Sequence, residues 1–432
     1  MMSRKLISRR SFFGLSAAAS AAMLAACSTS TTAPTQSSAT KNLRLWTWPD
    51  GFGKPVLSAV KSEFPNVTLT QTIQGGDFKQ KLQTTLQAGT GLPDITGIKG
   101  EDIAYFKSVP EYFVDLNTLG ASSHKSDYFD WKWQQGTTTD GKQIGVPIDI
   151  GPTALYYRSD IFEQCGLPSD PEEVAAAVRT WDEYFSLGIK MKKANPKLYL
   201  VRNLASIFEI SWRQSGKGFI NDHAVFIGDQ EHIKKAWDLC IQAQKDGINA
   251  GFDSNTTDST AAVANGTLPA DFGASWHLAD LMVDAPKTSG KWRVCGHPER
   301  STNLGGSFLG IPAKASDKDT SFKILLYILN ASNEASEYVH SGNFPANREA
   351  THSSQVTGAV PFLGNQKAGI LFAKLAETVR PLFEDPNENT VNAPFYSQLQ
   401  LVESSGKDPK KAWDDAVSQA KRLAKQNGIS VD

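Results

Sequence analysis

Cysteine is scarce: there are four in 432 residues, and Cys27 stands far from Cys165, Cys240 and Cys295. The odd three do not read as a disulfide framework and are expected to be core thiols. Positive charge is not in excess. The net charge is −1, and residues 1–26 hold Arg4, Lys5, Arg9 and Arg10 with no acid, leaving about −5 on the rest. A mildly acidic body without a basic block argues against nucleic acid as a partner. Beyond residue 26 no apolar run approaches the ~20 residues of a membrane span, so the body is expected to be soluble. Catalytic signatures are missing too. The chain has no Gly-x-Ser-x-Gly elbow, no His-Glu-x-x-His and no P-loop. Seven histidines are scattered, and Cys295 with His297 is the only close Cys/His pair, which does not make a metal site. Acids abound, yet no spacing isolates the carboxylate pair that glycoside hydrolysis needs. No catalytic residue, cofactor or metal is expected.

What is present begins with a signal. Arg4 to Arg10 form a basic zone, Phe12 to Ala26 a short apolar one, and Leu24-Ala25-Ala26-Cys27 places small residues before a cysteine. That is the pattern of a bacterial lipobox, so residues 1–26 are expected to be removed and Cys27 lipidated, anchoring the protein to the outer face of the cytoplasmic membrane. Ser8-Arg9-Arg10-Ser11-Phe12-Phe13 resembles a twin-arginine export motif, with general secretion the alternative. Ser28 to Thr40 is too polar to offset its ordering entropy and reads as a tether over 27–41.

The remainder is too long for one hydrophobic core and alternates strands with helices. Leu43 to Trp48 alternates as a strand, Val56, Leu57, Val60 and Phe64 share a helix face, and Val67 to Thr70 is a second strand. Asp77 is placed to cap a helix carrying Phe78, Leu82 and Leu86, and a third strand runs from Pro93 to Ile98. Asp140-Gly141 signals a hairpin, and Ile144 to Arg158 is a long extended run. Thr180-Trp181-Asp182-Glu183 has capping-box spacing. Helices are also read over 230–246, 316–330 and 409–426, the last with Trp413, Val417 and Ala420 inward. The class is α/β, with mostly parallel sheets flanked by helices. In such sheets ligands bind beyond the carboxyl ends of the strands, here the loops at 48–50, 75–77 and 99–102.

Several motifs share an order with a known family: Ala88-Gly89-Thr90-Gly91-Leu92-Pro93-Asp94-Ile95, then Gly145-Val146-Pro147 leading to Leu155-Tyr156-Tyr157-Arg158, then Thr180 to Glu183. Gln214-Ser215-Gly216, Gly305 to Pro312 and Gly342 to Asn347 follow. With them the chain resembles the extracellular solute-binding proteins of ABC importers, the family that includes maltose-binding protein. The resemblance implies a two-lobed fold with three chain crossings, near Asp149, Phe308 and Ala346. Lobe one is then 42–149 plus 309–346, and lobe two 150–308 plus 347–432. It also implies a monomer that closes over a solute and delivers it to permease subunits.

A saccharide offers flat C–H faces and a rim of hydroxyls, so its site needs aromatic rings beside fixed polar groups. Ten tryptophans supply rings. Trp48, Trp212 and Trp276 stand at expected loop or strand ends and are the stacking candidates. Trp181, Trp237 and Trp413 fall on apolar helix faces and are read as core. Trp46, inside the expected strand, is read as core and Trp48, at its end, as the ligand candidate, with an exchange of the two roles as the alternative. Asp50, Asp77, Asp102 and Asp149 are candidate hydroxyl acceptors, with Asp77 alternatively a cap and Asp149 alternatively a hinge residue. Phe308, at the second crossing, completes the ligand candidates with Arg348, which either donates to the sugar or pairs with an acid across the lobes. A sugar or oligosaccharide is therefore the expected ligand. The alternatives are the same fold carrying ferric ion or a polyamine, for which Tyr156-Tyr157 is the only adjacent tyrosine pair, and a secreted lipoprotein enzyme.

Overall fold

The computed structural model describes residues 40–49, 51–253 and 256–431. The signal, Cys27 and nearly all of the tether lie outside the described residues, as does Asp50. Residues from Thr40 onward form one compact unit.

Ten strands are described: β1 (Lys41–Thr47), β2 (Val67–Ile73), β3 (Ile95–Ile98), β4 (Val146–Pro147), β5 (Asp149–Ile150), β6 (Thr153–Arg158), β7 (Ala270–Ala274), β8 (Trp292–Cys295), β9 (Phe308–Gly310) and β10 (Phe344–Pro345). They form a five-stranded sheet ordered β2-β1-β3-β9-β4, a three-stranded sheet β7-β6-β8, and a two-stranded piece joining β10 to β5. The chain leaves the first sheet after β4, forms the three-stranded sheet with β6, β7 and β8, and returns to the first sheet at β9.

Among the described strands only β1, β2 and β3 run parallel, and every other strand-to-strand pairing is antiparallel. The expectation of mostly parallel sheets is corrected here. Strand β9 enters the first sheet from the second crossing, not through a βαβ unit, and so runs against β3 and β4.

Both faces of the first sheet are covered, and strand alternation decides which residue goes where. Leu43 and Leu45 face a core with Val56 and Val60 of the helix Lys54–Glu63. Trp46 faces the opposite side with Phe78, Leu82 and Leu86 of the helix Phe78–Ala88. Each such side chain removed from water contributes about 1.5–3 kcal/mol. Alternation works the same way in β6: Tyr156 joins the first core, while Leu155 and Tyr157 join the second.

Helix ends follow their expected chemistry. Thr180 Oγ1 accepts from Glu183 N at 3.2 Å, and Glu183 Oε2 accepts from Thr180 N at 3.0 Å, closing the capping box of the helix Trp181–Ala194. The Asp140-Gly141 turn is closed by a bridge between Thr137 and Gln143. In the helix Pro409–Gln426 the buried face is Ala412, Ala416, Ala420 and Ala424, with Trp413 and Val417 only half-buried beside it. Small residues at every fourth position let this helix lie against Glu388–Ser405. Cys240 and Cys295 are buried, Cys165 is half-buried, and all three are free thiols.

Candidate functional site

The loops that leave β1 and β3 meet the second crossing. Trp48, directly after β1, is half-buried, and its ring lies across the backbone of Gly97 in β3. A Cβ at Gly97 would stand 2.5 Å from the Trp48 ring, so this strand position has to lack a side chain. Phe78 meets the ring edge-on at 5.6 Å, and Lys99 Nζ lies 5.8 Å from its centroid. Gly100, next along, is close enough to the Gly306 carbonyl that no side chain would fit between them.

Asp102 follows in the same loop, largely buried, with Oδ1 at 3.3 Å from Lys79 Nζ. Burial raises its pKa, and Lys79 opposes the rise. Asp149 lies at the first crossing, where its Oδ1 accepts from Ser307 N at 2.7 Å and so ties the first crossing to the second. Burial raises the Asp149 pKa as well, against the pull of Lys132. Lys132 is fully buried; its Nζ donates to Gly306 O at 2.7 Å and Gln135 Oε1 at 3.1 Å. Desolvation brings the Lys132 pKa down to about 8.

Trp276 stands two residues past β7, directly before the helix His277–Asp284, half-buried, with Nε1 donating to Leu304 O at 3.4 Å. Beside it opens a cavity of about 390 Å³, lined among others by Arg202, Phe272, His277, Asp280 and Asp284. Beneath this cavity Asp271, 3% exposed, receives the Arg202 guanidinium and lies 3.2 Å from His277 Nε2. Arg202, Asp271 and His277 are residues the sequence reading missed, although Asp271 stands five positions before Trp276 and His277 directly after it.

Three candidates are corrected. Trp212 is fully buried in the helix Leu204–Gln214, its Nε1 bonded to the Tyr396 hydroxyl at 3.0 Å and its ring edge-on to Phe219 at 5.4 Å. Neither face is free to stack on a ligand. Phe308 is fully buried as well, in the core behind Trp46, with Lys132 Nζ 4.1 Å from its ring centroid. Arg348 pairs with Glu377, at 2.7 Å; both follow the third crossing, so the pair does not join the lobes. The Arg348 guanidinium also lies 4.9 Å from the Phe129 ring.

Asp77 caps its helix by accepting from Gln80 N at 2.9 Å, the plainer of its two expected roles. Tyr156 and Tyr157 turn their hydroxyls to backbone carbonyls, of Ala274 and Ser169, each at 2.9 Å, and both rings are buried. They present no oxygen pair to a ferric ion.

The fold and this cleft define a bacterial extracellular solute-binding protein, and the chain belongs to that family, which it matches over residues 59–362. Among known relatives it is similar to a lactose-binding protein of Rhizobium radiobacter, 26% identical over 304 residues, 65% of this chain and 68% of that protein. A galactooligosaccharide-binding protein of Bacillus subtilis is 22% identical across 96% of this chain and 97% of its own length. A crystal structure of an extracellular solute-binding protein of family 1 superposes with a TM-score of 0.83 at 27% identity, covering 89% of this chain and all of the other.

Proposed function

We propose that this protein captures a sugar or oligosaccharide outside the cell and passes it, unchanged, to the membrane subunits of an ABC importer. One observation carries the reading: Trp48 and Trp276 are both half-buried, with Lys99 over the first ring and Arg202, His277, Asp280 and Asp284 around the cavity beside the second. Aromatic faces with fixed polar groups are what a pyranose ring requires. Relatives that bind lactose and galactooligosaccharides support it.

Within this reading Trp48 and Trp276 stack on the ligand, and Asp102 accepts its hydroxyls. Asp50 remains a candidate acceptor from its position after Trp48, and Asp149 acts at the hinge. Lobe one comprises 42–149 plus 309–346, lobe two 150–308 plus 347–432. The mature chain begins at a lipidated Cys27 and works as a monomer.

A thermal-shift screen of the mature protein against lactose, galactooligosaccharides, ferric ion and spermidine tests this. A ligand that binds only the native state adds about 2.7 kcal/mol at a hundredfold excess over Kd. We expect a sugar to raise the melting temperature and iron and spermidine to leave it unchanged. A shift with iron or spermidine alone overturns the proposal.

A further inference from the structure

We propose that the cavity beside Trp276 is a subsite for one sugar ring that accepts neutral or amino sugars and rejects acidic ones. The inference rests on the sugar-binding reading above and goes further, to the charge class of the ring.

Volume comes first. Pockets that enclose small ligands span roughly 300–1,000 Å³, and 390 Å³ suits a single ring with its hydroxyls. All lining residues fall between 202 and 304, on one lobe, so the subsite is complete without the other. Trp276 forms one wall and Phe272 contributes to it. Phe272 is itself fixed by ring contacts with Tyr184 at 4.9 Å and His297 at 5.5 Å. The apolar wall is therefore rigid.

The polar wall is built and incompletely satisfied. The Arg202 guanidinium is held by Asp271, yet its Nε is buried with no hydrogen-bond partner. His277, 8% exposed, lines the cavity; its Nδ1 lies 3.3 Å from Asp280 Oδ2, and its Nε2 makes no aligned hydrogen bond despite standing near Asp271. A buried polar atom left unpaired costs free energy, and a sugar hydroxyl, at once donor and acceptor, is suited to relieve it.

Charge then selects the ring. Asp271 already neutralises Arg202, and Asp280 and Asp284 remain at the cavity wall. The sum is negative whether or not His277 carries a proton. A uronate carboxylate would enter beside two like charges, and the guanidinium it could pair with is already held by Asp271, with its buried Nε–H left to offer. Neutral hydroxyls meet no such repulsion, and an ammonium group is attracted. Selectivity by an opposed charge is a common means of excluding a near-identical ligand.

The test is calorimetric titration of the intact mature protein with lactose, with a disaccharide of the same linkage ending in galacturonate, and with its 2-amino counterpart. Wild type should bind the acid-terminated sugar at least about tenfold more weakly than lactose, and the amino sugar no more weakly than lactose. The double variant Asp280→Asn/Asp284→Asn should narrow the gap between lactose and the acid to about threefold or less. Melting curves verify its fold, and Asp280→Asn alone, expected to narrow the gap in part, serves if the double variant is unstable. Equal binding of lactose and the acid by wild type, or a gap that neither variant moves, overturns the subsite and leaves the sugar reading intact. If none of these sugars binds and the thermal screen finds no other sugar, the sugar reading falls and the subsite falls with it.

Discussion

A tryptophan that serves as a sugar platform has to keep one ring face free while its other contacts hold it still. Trp48 is placed for it: Gly97 lies beneath the ring, Phe78 meets it at right angles, Lys99 Nζ stands 5.8 Å from its centroid, and the residue is only half-buried. Trp212 is not, being enclosed by Tyr396, Phe219 and Arg213, with no exposed surface. The two alanine variants should therefore fail differently. Trp48→Ala should weaken sugar binding by about 2 kcal/mol, roughly thirtyfold, with a small change in melting temperature. Trp212→Ala should lower stability by about 3–5 kcal/mol and leave the affinity of the folded fraction close to wild type. Titration beside thermal melts distinguishes them, and a Trp48→Ala protein that binds normally but melts early would return Trp48 to the core. At this scale alternation does not separate the two tryptophans: Trp46 and Trp48 stand two residues apart, share one face of β1 and pack against the same core, and they differ in that Trp48 lies past the strand end and is only half-buried. Arg202, Asp271 and His277 were harder to read. Arg202 lies 69 residues before Asp271, so only the fold brings the guanidinium to the segment that carries Asp271 and His277.

Elements explain where the reading of Trp212 failed. Leu204, Ile207, Phe208, Ser211 and Trp212 recur at the three- and four-residue spacing of one helix face, and all are buried in the helix Leu204–Gln214. That periodicity was in the sequence, but the Gln214-Ser215-Gly216 turn drew attention to a loop instead. The parallel-sheet expectation failed for a different reason: strand direction after a long crossing is set by tertiary connection and leaves no local trace. Caps, by contrast, depend on neighbours three residues apart, and those at Asp77 and Thr180 form as the sequence implies. The helix Glu388–Ser405 starts on a residue with a measurable signature. Glu388 is buried, its Oε1 accepts from Phe219 N at 2.6 Å, and its Oε2 has no partner. Burial pushes its pKa from 4.5 up to about 8. The folded protein thus keeps a proton that the unfolded chain releases above pH 4.5, so stability from this group falls as pH rises from about 4.5 to about 8 and levels off beyond. Glu388→Gln, neutral throughout, should remove that fall, matching wild type near pH 4.5 and melting higher at pH 8. Parallel melting curves across that range would refute the assignment.

For the whole molecule, the question is what holds the lobes in the arrangement that encloses a ligand. The first core runs on from Leu45 and Leu309 through Ile150 and Phe344 to Tyr156 and Phe372, so the hinge is itself packed and allows only a few discrete arrangements. Polar contacts across the lobes set the balance among them. Glu384 is the clearest: its Oε1 accepts from Arg213 at 3.1 Å, and its Oε2 accepts from Gln135 Nε2, on the other lobe, at 3.3 Å. Lys107, also on that lobe, is close enough to feel the Glu384 charge. A ligand that touches both lobes favours the closed state, and a contact made only on closure adds to its apparent affinity. Glu384→Gln keeps the side-chain shape and removes the charge that binds Arg213 and faces Lys107. It should weaken ligand binding about fivefold, the equivalent of ~1 kcal/mol, by favouring the open form. Small-angle scattering should give wild type a smaller radius of gyration with saturating sugar, while the variant should need several times more ligand to reach the same value. If the variant and wild type contract at the same ligand concentration, Glu384 is not a closing contact, and the lobes are held by the packed hinge alone.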